Sequence, residues 1–310
     1  MKLIIQIPAY NEEQTLSVAL SALPREVPGI DQVEWLVIDD GSSDRTVEVA
    51  KEMGVDHVVS HSRNLGLANT FMTGMQACLE RGADIIVNTD ADNQYCADCI
   101  PDLVQPILEG KAEIVVGARP ISETDDFSRL KKLLQKFGSW TVRKASGTDI
   151  PDAPSGFRAI SADAARRLNV FNNYTYTLET IIQAGQKNIP ITWVPVKTNS
   201  YLRPSRLFKS IPSYIRRSII TILRIFVVYK PFRFFASIGS LLILAGFLIG
   251  LRFLYFFFIG EGEGHIQSLI LTSILILMGS QTIMLAFVAD LLSVNRRLLE
   301  ELQYKSRQKE

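Results

Sequence analysis

Two long apolar runs near the C-terminal end, Phe232–Phe258 and Ser268–Leu292, restrict this chain more than any other feature. Each exceeds the roughly 20 residues that a helix needs to cross a bilayer, and soluble helices rarely carry so few polar residues over such lengths. The flanks give the expected orientation. Between Ser200 and Arg233 lie Arg203, Arg206, Lys209, Arg216, Arg217, Arg224, Lys230 and Arg233 with no acidic residue, whereas the connection Gly260–Gln267 has Glu261 and Glu263 with no Lys or Arg. The positive-inside rule therefore puts the connection outside, and the large N-terminal region and the tail with Arg296 and Arg297 in the cytoplasm. Met1–Ile7 is too short, and runs too directly into Pro8, to be a signal peptide. The expected division is 1–203 as the main domain, 204–231 as an amphipathic juxtamembrane segment, 232–294 as a transmembrane hairpin and 295–310 as a tail.

Ahead of the hairpin, apolar strands alternate with helical periodicity. Leu3–Ile7 reads as a strand broken by Pro8, followed by the loop Ala9–Glu13 and a helix carrying Leu16, Ala19, Leu20 and Leu23. A second unit follows: strand Trp35–Ile38, loop Asp39–Asp44 and a helix Thr46–Met53 capped by a Ser or Asp. Val58 and Val59 make a short strand, and Asn64-Leu65-Gly66 opens a helix to about Arg81. Strands are expected at Ala83–Thr89, Glu113–Ala118 and Ile191–Thr198, with a helix after Pro101. Such alternation predicts a doubly wound α/β domain, with a mainly parallel sheet and helices on both faces.

Ligands of such sheets bind at the carboxyl ends of the strands, and here those ends are acidic: Glu12 and Glu13, Asp39 and Asp40, Asp90 and Asp92. Neither G-x-G-x-x-G after the first strand nor G-x-x-x-x-G-K-[ST] occurs, which argues against dinucleotide oxidoreductases and P-loop enzymes. Asp90 and Asp92, one residue apart just past an apolar strand, can turn toward one hard divalent cation that also takes diphosphate oxygens. The other carboxylates can accept hydrogen bonds from a base N–H and ribose hydroxyls. That combination fits a nucleotide-sugar donor. Cys96 and Cys99 have metal-like spacing but no second ligand pair, and with Cys78 they read as small buried residues.

Ile7-Pro8-Ala9-Tyr10-Asn11-Glu12-Glu13, Val37-Ile38-Asp39-Asp40-Gly41-Ser42-Ser43-Asp44 and Asp90-Ala91-Asp92-Asn93-Gln94, in that order, resemble the motifs of family 2 glycosyltransferases of the Rossmann-like GT-A fold. The resemblance implies that Pro8, Tyr10, Glu12, Asp39, Asp40, Asp90 and Ala91 surround the donor nucleotide, and that Asp90, Asp92 and Gln94 hold Mg²⁺ or Mn²⁺ at the diphosphate. Gly117-Ala118-Arg119, Asp152-Ala153-Pro154-Ser155-Gly156-Phe157-Arg158 and Arg203-Pro204-Ser205-Arg206-Leu207 are similar to polyprenyl-phosphate sugar transferases of the dolichyl-phosphate mannose synthase type. Bacterial members with two C-terminal helices commonly use undecaprenyl phosphate, which implies an inner-membrane enzyme with both termini cytoplasmic. Arg206 stands where Lys is frequent, and Asn93-Gln94-Tyr95 replaces a more usual Gly-Gln-His or Leu-Gln, so the sugar and the base of the UDP- or GDP-sugar stay open. The Q-x-x-R-W of processive polysaccharide synthases is absent, which favours transfer of one sugar.

A phosphate acceptor suits this chemistry. A phosphate monoester has a second pKa near 6 and is largely dianionic at neutral pH, so it needs cationic positioning rather than a general base. Arg119, Arg158, Arg203 and Arg206, with Ser155, are the candidates, because guanidinium groups grip phosphate bidentately. The resemblance implies inversion, with the catalytic set Asp92, Arg119, Arg203 and Arg206. Leu207–Lys230 mixes apolar and basic residues, as interfacial helices broken at Pro212 would. Two alternatives remain: a tethered transferase acting on a hydroxyl of a lipid-linked glycan, and an inactive scaffold. No nucleic-acid partner is expected, and a homo-oligomer is left open.

Overall fold

The computed structural model describes residues 1–120, 138–140, 142–144, 146–170, 176–199, 220, 223–224, 227–260 and 262–307. Arg203, Arg206 and most of the expected amphipathic segment lie outside them. The chain divides into two compact units, Met1–Ser218 with Tyr304–Glu310, and Ile219–Gln303.

The first unit is built on a seven-stranded sheet. Its strands are β1 (Lys2–Ala9), β2 (Gln32–Asp39), β3 (His57–Ser60), β4 (Ile85–Asn88), β5 (Ile114–Ala118), β6 (Arg158–Ser161) and β7 (Ile191–Pro195), in the order β3-β2-β1-β4-β6-β5-β7. The pairs β1–β2, β2–β3, β1–β4 and β5–β7 are parallel, and β6 runs antiparallel between β4 and β5. The sheet is thus mainly parallel, as the alternation predicts. The strand β6 was not anticipated, since four residues opening on an arginine carry no apolar pattern.

Side-chain alternation along the strands makes two cores. Leu3, Ile5 and Ile7 of β1 point with Val37, Ile85 and Val87 toward α1 (Leu16–Ala22), α2 (Thr46–Glu52) and α4 (Ile100–Leu108). Ile4 points with Leu36, Ile38, Ile86 and Ile160 toward α3 (Leu67–Glu80), α5 (Ala162–Arg167) and α6 (Thr177–Gln186). Helices therefore cover both faces.

Pro8 does not break β1, which continues to Ala9 in register with β2. In a parallel strand a residue's N–H and C=O point to the same side. Ala9 C=O accepts the Asp40 N–H on the β2 side, and Gln6 C=O accepts the Thr89 N–H on the β4 side. Pro8 shares the parity of Gln6, so its missing N–H falls where β4 has already ended. The strand order runs outward from β1 to β3, then returns to place β4 on the other side of β1. That reversal opens a crevice between the carboxyl ends of β1 and β4.

In the second unit, α7 (Pro231–Ile259) and α8 (Ile266–Arg307) are both long and apolar enough to cross a membrane, over Pro231–Ile259 and Ile266–Arg296. Their large apolar side chains are mostly exposed, Phe258 at 82% and Leu241 at 67%, as suits a lipid environment. The helices meet through glycines. A Cβ on Gly239 would stand 2.8 Å from the Gly279 carbonyl oxygen, and one on Gly279 2.8 Å from the Gly239 oxygen. At one base of the hairpin the Arg296 guanidinium lies 4.5 Å from the Tyr229 ring centroid.

The glycine contact is backbone against backbone and cannot give by side-chain rotation. Gly239→Ala is expected to destabilise the hairpin by about 1–3 kcal/mol. Gly264→Ala, where an added Cβ meets nothing within 4 Å, is expected to leave it unchanged. Denaturation of the purified protein in detergent micelles, followed by circular dichroism, separates the two.

Candidate active site

At the carboxyl ends of β1 and β2 the two expected nucleotide loops are sewn to each other. Asn11 N–H donates to Ser42 Oγ (2.9 Å), Ser43 N–H to Asn11 Oδ1 (2.9 Å), Glu12 N–H to Thr46 Oγ1 (2.8 Å), Glu13 N–H to Asp44 Oδ2 (3.2 Å) and Arg45 N–H to Glu13 Oε2 (3.1 Å). Asn11 adopts a left-handed φ of 53° that turns its side chain into this seam. Asp44 also takes the Thr46 N–H (3.0 Å) ahead of α2, but the cap position is Arg45, which makes no side-chain cap bond, so the Ser or Asp cap expected there is not found. Burial alone would raise the Asp44 pKa, but the bonds from Thr46 and the Glu13 amide hold it below the ordinary aspartate value. Gly41 is required by contact: a Cβ there would lie 2.6 Å from the Arg63 carbonyl carbon.

The two aspartates after β2 part company. Asp40 is buried, and its carboxylate accepts the Leu65 N–H (2.8 Å) and Gly66 N–H (2.9 Å) and pairs with His61 Nδ1 (2.9 Å). It organises the start of α3, so its bonds within the chain are structural. Asp39 gives only Oδ1 to the Ser42 N–H (3.0 Å). Asp39 is as buried as Asp40, at 4% against 3% exposure, whereas Tyr10 is 44% exposed. Pro8 is buried in β1, and Glu12 Oε2 accepts the Thr15 hydroxyl (2.7 Å).

On the other side of the crevice, β4 ends at Asn88 and the chain turns through Asp90-Ala91-Asp92. The Ala91 methyl packs into the core, and the flanking carboxylates stay partly exposed. Asp92 Oδ1 accepts the Gln94 N–H (3.1 Å), and Asn93 between them has φ 56°. A Cβ on Gly156 would be 3.3 Å from Asp90 Oδ1 and 2.8 Å from the Tyr176 hydroxyl, so this glycine makes room for the first carboxylate. Among the described residues no group of three or more His, Cys, Asp and Glu side chains converges on one point. Two carboxylates in an all-oxygen setting fit a cation that takes its other ligands from a diphosphate and water.

Beneath this turn lies a buried polar node. Asn88 Oδ1 accepts from Gln6 Nε2 (2.9 Å), and its Nδ2 donates to the Gly156 carbonyl and the Tyr176 hydroxyl, each at 2.9 Å. The Tyr95 hydroxyl accepts the Gly156 N–H (3.1 Å), with its ring stacked on Phe157. Burial, and next Asp90, raise the Tyr176 pKa well above the usual phenol value. Asn88 and Gln6, polar in otherwise apolar strands, were the sequence signal for this node. Tyr176 and Gly156 gave none.

The arginines are placed unequally. Arg119, just past β5, binds Asp152 through Nε (2.7 Å) and Nη2 (3.1 Å), and its N–H donates to the same carboxylate (3.1 Å). Burial would lower its pKa, but Tyr95, Asp152 and Asp90 together hold it above the ordinary arginine value. Arg119 therefore feels the Asp90 carboxylate, and its Nη1 edge is outside the Asp152 pair. Arg158 is wholly buried, with Nε on the Ser155 carbonyl (2.9 Å), Nη2 on the Ala153 carbonyl (3.0 Å) and Nη1 on Thr180 Oγ1; burial pulls its pKa down to about 10. Ser155 is buried as well. Both were expected at an acceptor phosphate. Arg158 instead holds the carbonyls of the loop before β6, while the Ser155 hydroxyl is buried with no hydrogen-bond partner among the described residues.

The profile described as glycosyl transferase family 2 matches residues 4–168. The chain is a family 2 glycosyltransferase. It is 31% identical to a UDP-N-acetylglucosamine–dolichyl-phosphate N-acetylglucosaminyltransferase of Methanococcus voltae over 62% of this chain and 83% of that protein. It is 27% identical to an undecaprenyl-phosphate 4-deoxy-4-formamido-L-arabinose transferase of Photorhabdus laumondii over 80% of this chain and 74% of that one. The GT-A fold is shared with glucosyl-3-phosphoglycerate synthase of Mycobacterium tuberculosis, solved with Mn²⁺, uridine diphosphate and phosphoglyceric acid, at TM-score 0.54 and 21% identity over 71% of this chain and 78% of that one.

In this family 2 glycosyltransferase the neighbouring aspartates are expected to fail differently. Asp40→Ala leaves two amide donors and a histidine without their partner and is expected to cost at least about 2 kcal/mol of stability. Asp39→Ala is expected to change stability by no more than about 1 kcal/mol and to weaken nucleotide binding at least tenfold. Thermal unfolding and calorimetric titration with uridine and guanosine diphosphates check both; equal losses of stability would contradict the division.

Proposed function

We propose that the chain moves one sugar from a nucleoside-diphosphate donor to the phosphate of a polyprenyl phosphate at a membrane surface. The reading is carried by one conjunction: a family 2 catalytic unit and a pair of membrane-length helices packed through glycines occur in a single chain. The matched relatives whose names specify dolichyl and undecaprenyl phosphate acceptors support the lipid phosphate. The basic residues Ser200–Arg233 and the acidic Gly260–Gln267 connection support a cytoplasmic catalytic unit.

In this reading Tyr10, Glu12 and Asp39 hold base and ribose across the crevice from Asp90 and Asp92, which bind Mg²⁺ or Mn²⁺, with Gln94 beside them. The cation supplies charge stabilisation to the leaving diphosphate. Arg119, held by Asp152 and coupled electrostatically to Asp90, offers its Nη1 edge to an incoming anion. Arg203 and Arg206 complete the acceptor set. Asn199 is hydrogen-bonded to the metal turn, and Arg203 follows four residues later, a span of at most about 14 Å of chain. The phosphate oxygen displaces the nucleoside diphosphate in line at the anomeric carbon, with inversion. One C–O bond forms as another breaks, and no base is needed.

A panel of UDP- and GDP-sugars with undecaprenyl phosphate is expected to yield a lipid product cleaved by mild acid, as a glycosyl phosphodiester is. An acid-stable glycoside would favour the hydroxyl-acceptor reading, and no transfer from any donor the scaffold reading. Arg206→Ala is expected to lower the acceptor-dependent rate at least tenfold, the loss of one charge-assisted contact of about 1.5–3 kcal/mol, with donor affinity unchanged and partial recovery in Arg206→Lys. Arg216→Ala is the control, and equal rates in the two alanine variants would remove Arg206 from the site. Asp92→Asn, and chelation of the native protein, are expected to abolish transfer without unfolding; full activity in chelator would exclude the metal.

A further inference from the structure

Among the described residues, the turn that carries Asp92 is bonded to Asn199, far away in the sequence. Asn93, between Asp92 and Gln94, has φ 56°, a left-handed conformation that asparagine tolerates better than other side chains but that a short loop does not keep without support. Asp92 Oδ1 closes the turn on the Gln94 N–H (3.1 Å). The next two peptide groups are fixed by Asn199. Its Nδ2 donates to the Asn93 carbonyl (3.0 Å), with longer contacts of 3.4 Å to Asn93 Oδ1 and the Tyr95 carbonyl, and its N–H donates to the Gln94 carbonyl (2.9 Å). A bridge between Tyr95 and Thr198 and the bond from Cys96 N–H to the Lys197 carbonyl (3.1 Å) extend the seam. Core packing of Ala91 and Tyr95 pins the turn at its two ends. Between them, Asn199 holds the Asn93–Gln94 peptide by its carbonyl, and the N–H of that same peptide is the one the Asp92 carboxylate accepts.

We propose that Asn199 is a positioning residue for the cation, setting the Asp92 turn so that the carboxylate is preorganised before donor arrives. This rests on the reading of Asp90 and Asp92 as the metal pair. Asn199 acts through Asp92 and does not touch the reacting atoms. Partners that orient a metal-bound carboxylate typically govern affinity by 10- to 100-fold.

The test is direct binding of Mn²⁺ to the full chain in detergent micelles. It is read from the electron paramagnetic resonance signal of free Mn²⁺ with uridine or guanosine diphosphate present, whichever the wild type binds. Asn199→Ala is expected to weaken Mn²⁺ binding about tenfold, with the thermal unfolding midpoint close to that of wild type. Asn199→Ser, which keeps a shorter donor, is expected to fall between. Lys197→Ala, whose exposed side chain takes no part in the seam, is expected to bind as wild type. Should Asn199→Ala not fold, Asn199→Ser decides: a shift above twofold supports the role and one within twofold overturns it. Wild type that binds no Mn²⁺ with either nucleotide removes the metal reading itself. Wild-type binding with Asn199→Ala within twofold of it removes only the role of Asn199.

Discussion

Three separate parts of the first unit meet at the side chain of Asn88, and the arrangement of the crevice depends on that meeting. A buried primary amide must find partners for its donors and its acceptor, because an unpaired one costs about 1–3 kcal/mol. Here the partners are Gln6 on the neighbouring parallel strand, the Gly156 carbonyl before the antiparallel strand and the Tyr176 hydroxyl ahead of a helix on one face. Only one register of β4 against β1 and β6 satisfies all three, since a shift by one residue would turn Asn88 to the opposite core. The same node leaves Gly156 beneath Asp90, so strand register and carboxylate placement are set together.

The antiparallel strand is what gathers the remaining groups. Because β6 runs opposite to its neighbours, the loop before it emerges at the edge where β4 and β5 end. Asp152 thereby reaches Arg119, and Arg158 turns inward to hold the carbonyls of its own loop. A cation in that interior is tolerated because oxygen acceptors surround it, and its lowered pKa shows that burial is still felt. A fully parallel sheet would have left this loop at the opposite edge.

Much of what reads as a ligand motif is also loop carpentry. Asn11, Ser42, Ser43, Asp44 and Thr46 satisfy one another's backbone groups, so their spacing follows from two loops that must lie side by side. Tyr10 and Asp39 are carried on that seam. In the second unit close approach is made by small residues instead, where glycines let two backbones approach at Gly239 and Gly279 and leave the larger apolar side chains to face outward.

Alternation of apolar strands and helices, the acidic strand ends and the two apolar runs were legible in the chain itself. They are local patterns, set by period, turn chemistry and length, and they sufficed for the α/β class, the crevice and the membrane-length helices. Local pattern also located Asp90 and Asp92, and the resemblance of ordered motifs gave the family. It could not separate Asp39 from Asp40, since adjacent carboxylates differ only in what the fold brings to each. Nor could it tell that Ser155 and Arg158 face inward while Arg119 stays at the edge, because an arginine is buried only when distant carbonyls and hydroxyls converge on it. Pro8 inside a strand, β6 between parallel neighbours, and Asn199 against a turn 106 residues away were likewise decided by tertiary structure. Each depends on which backbone group lies opposite across the sheet or seam, and that is fixed only when the strands pair.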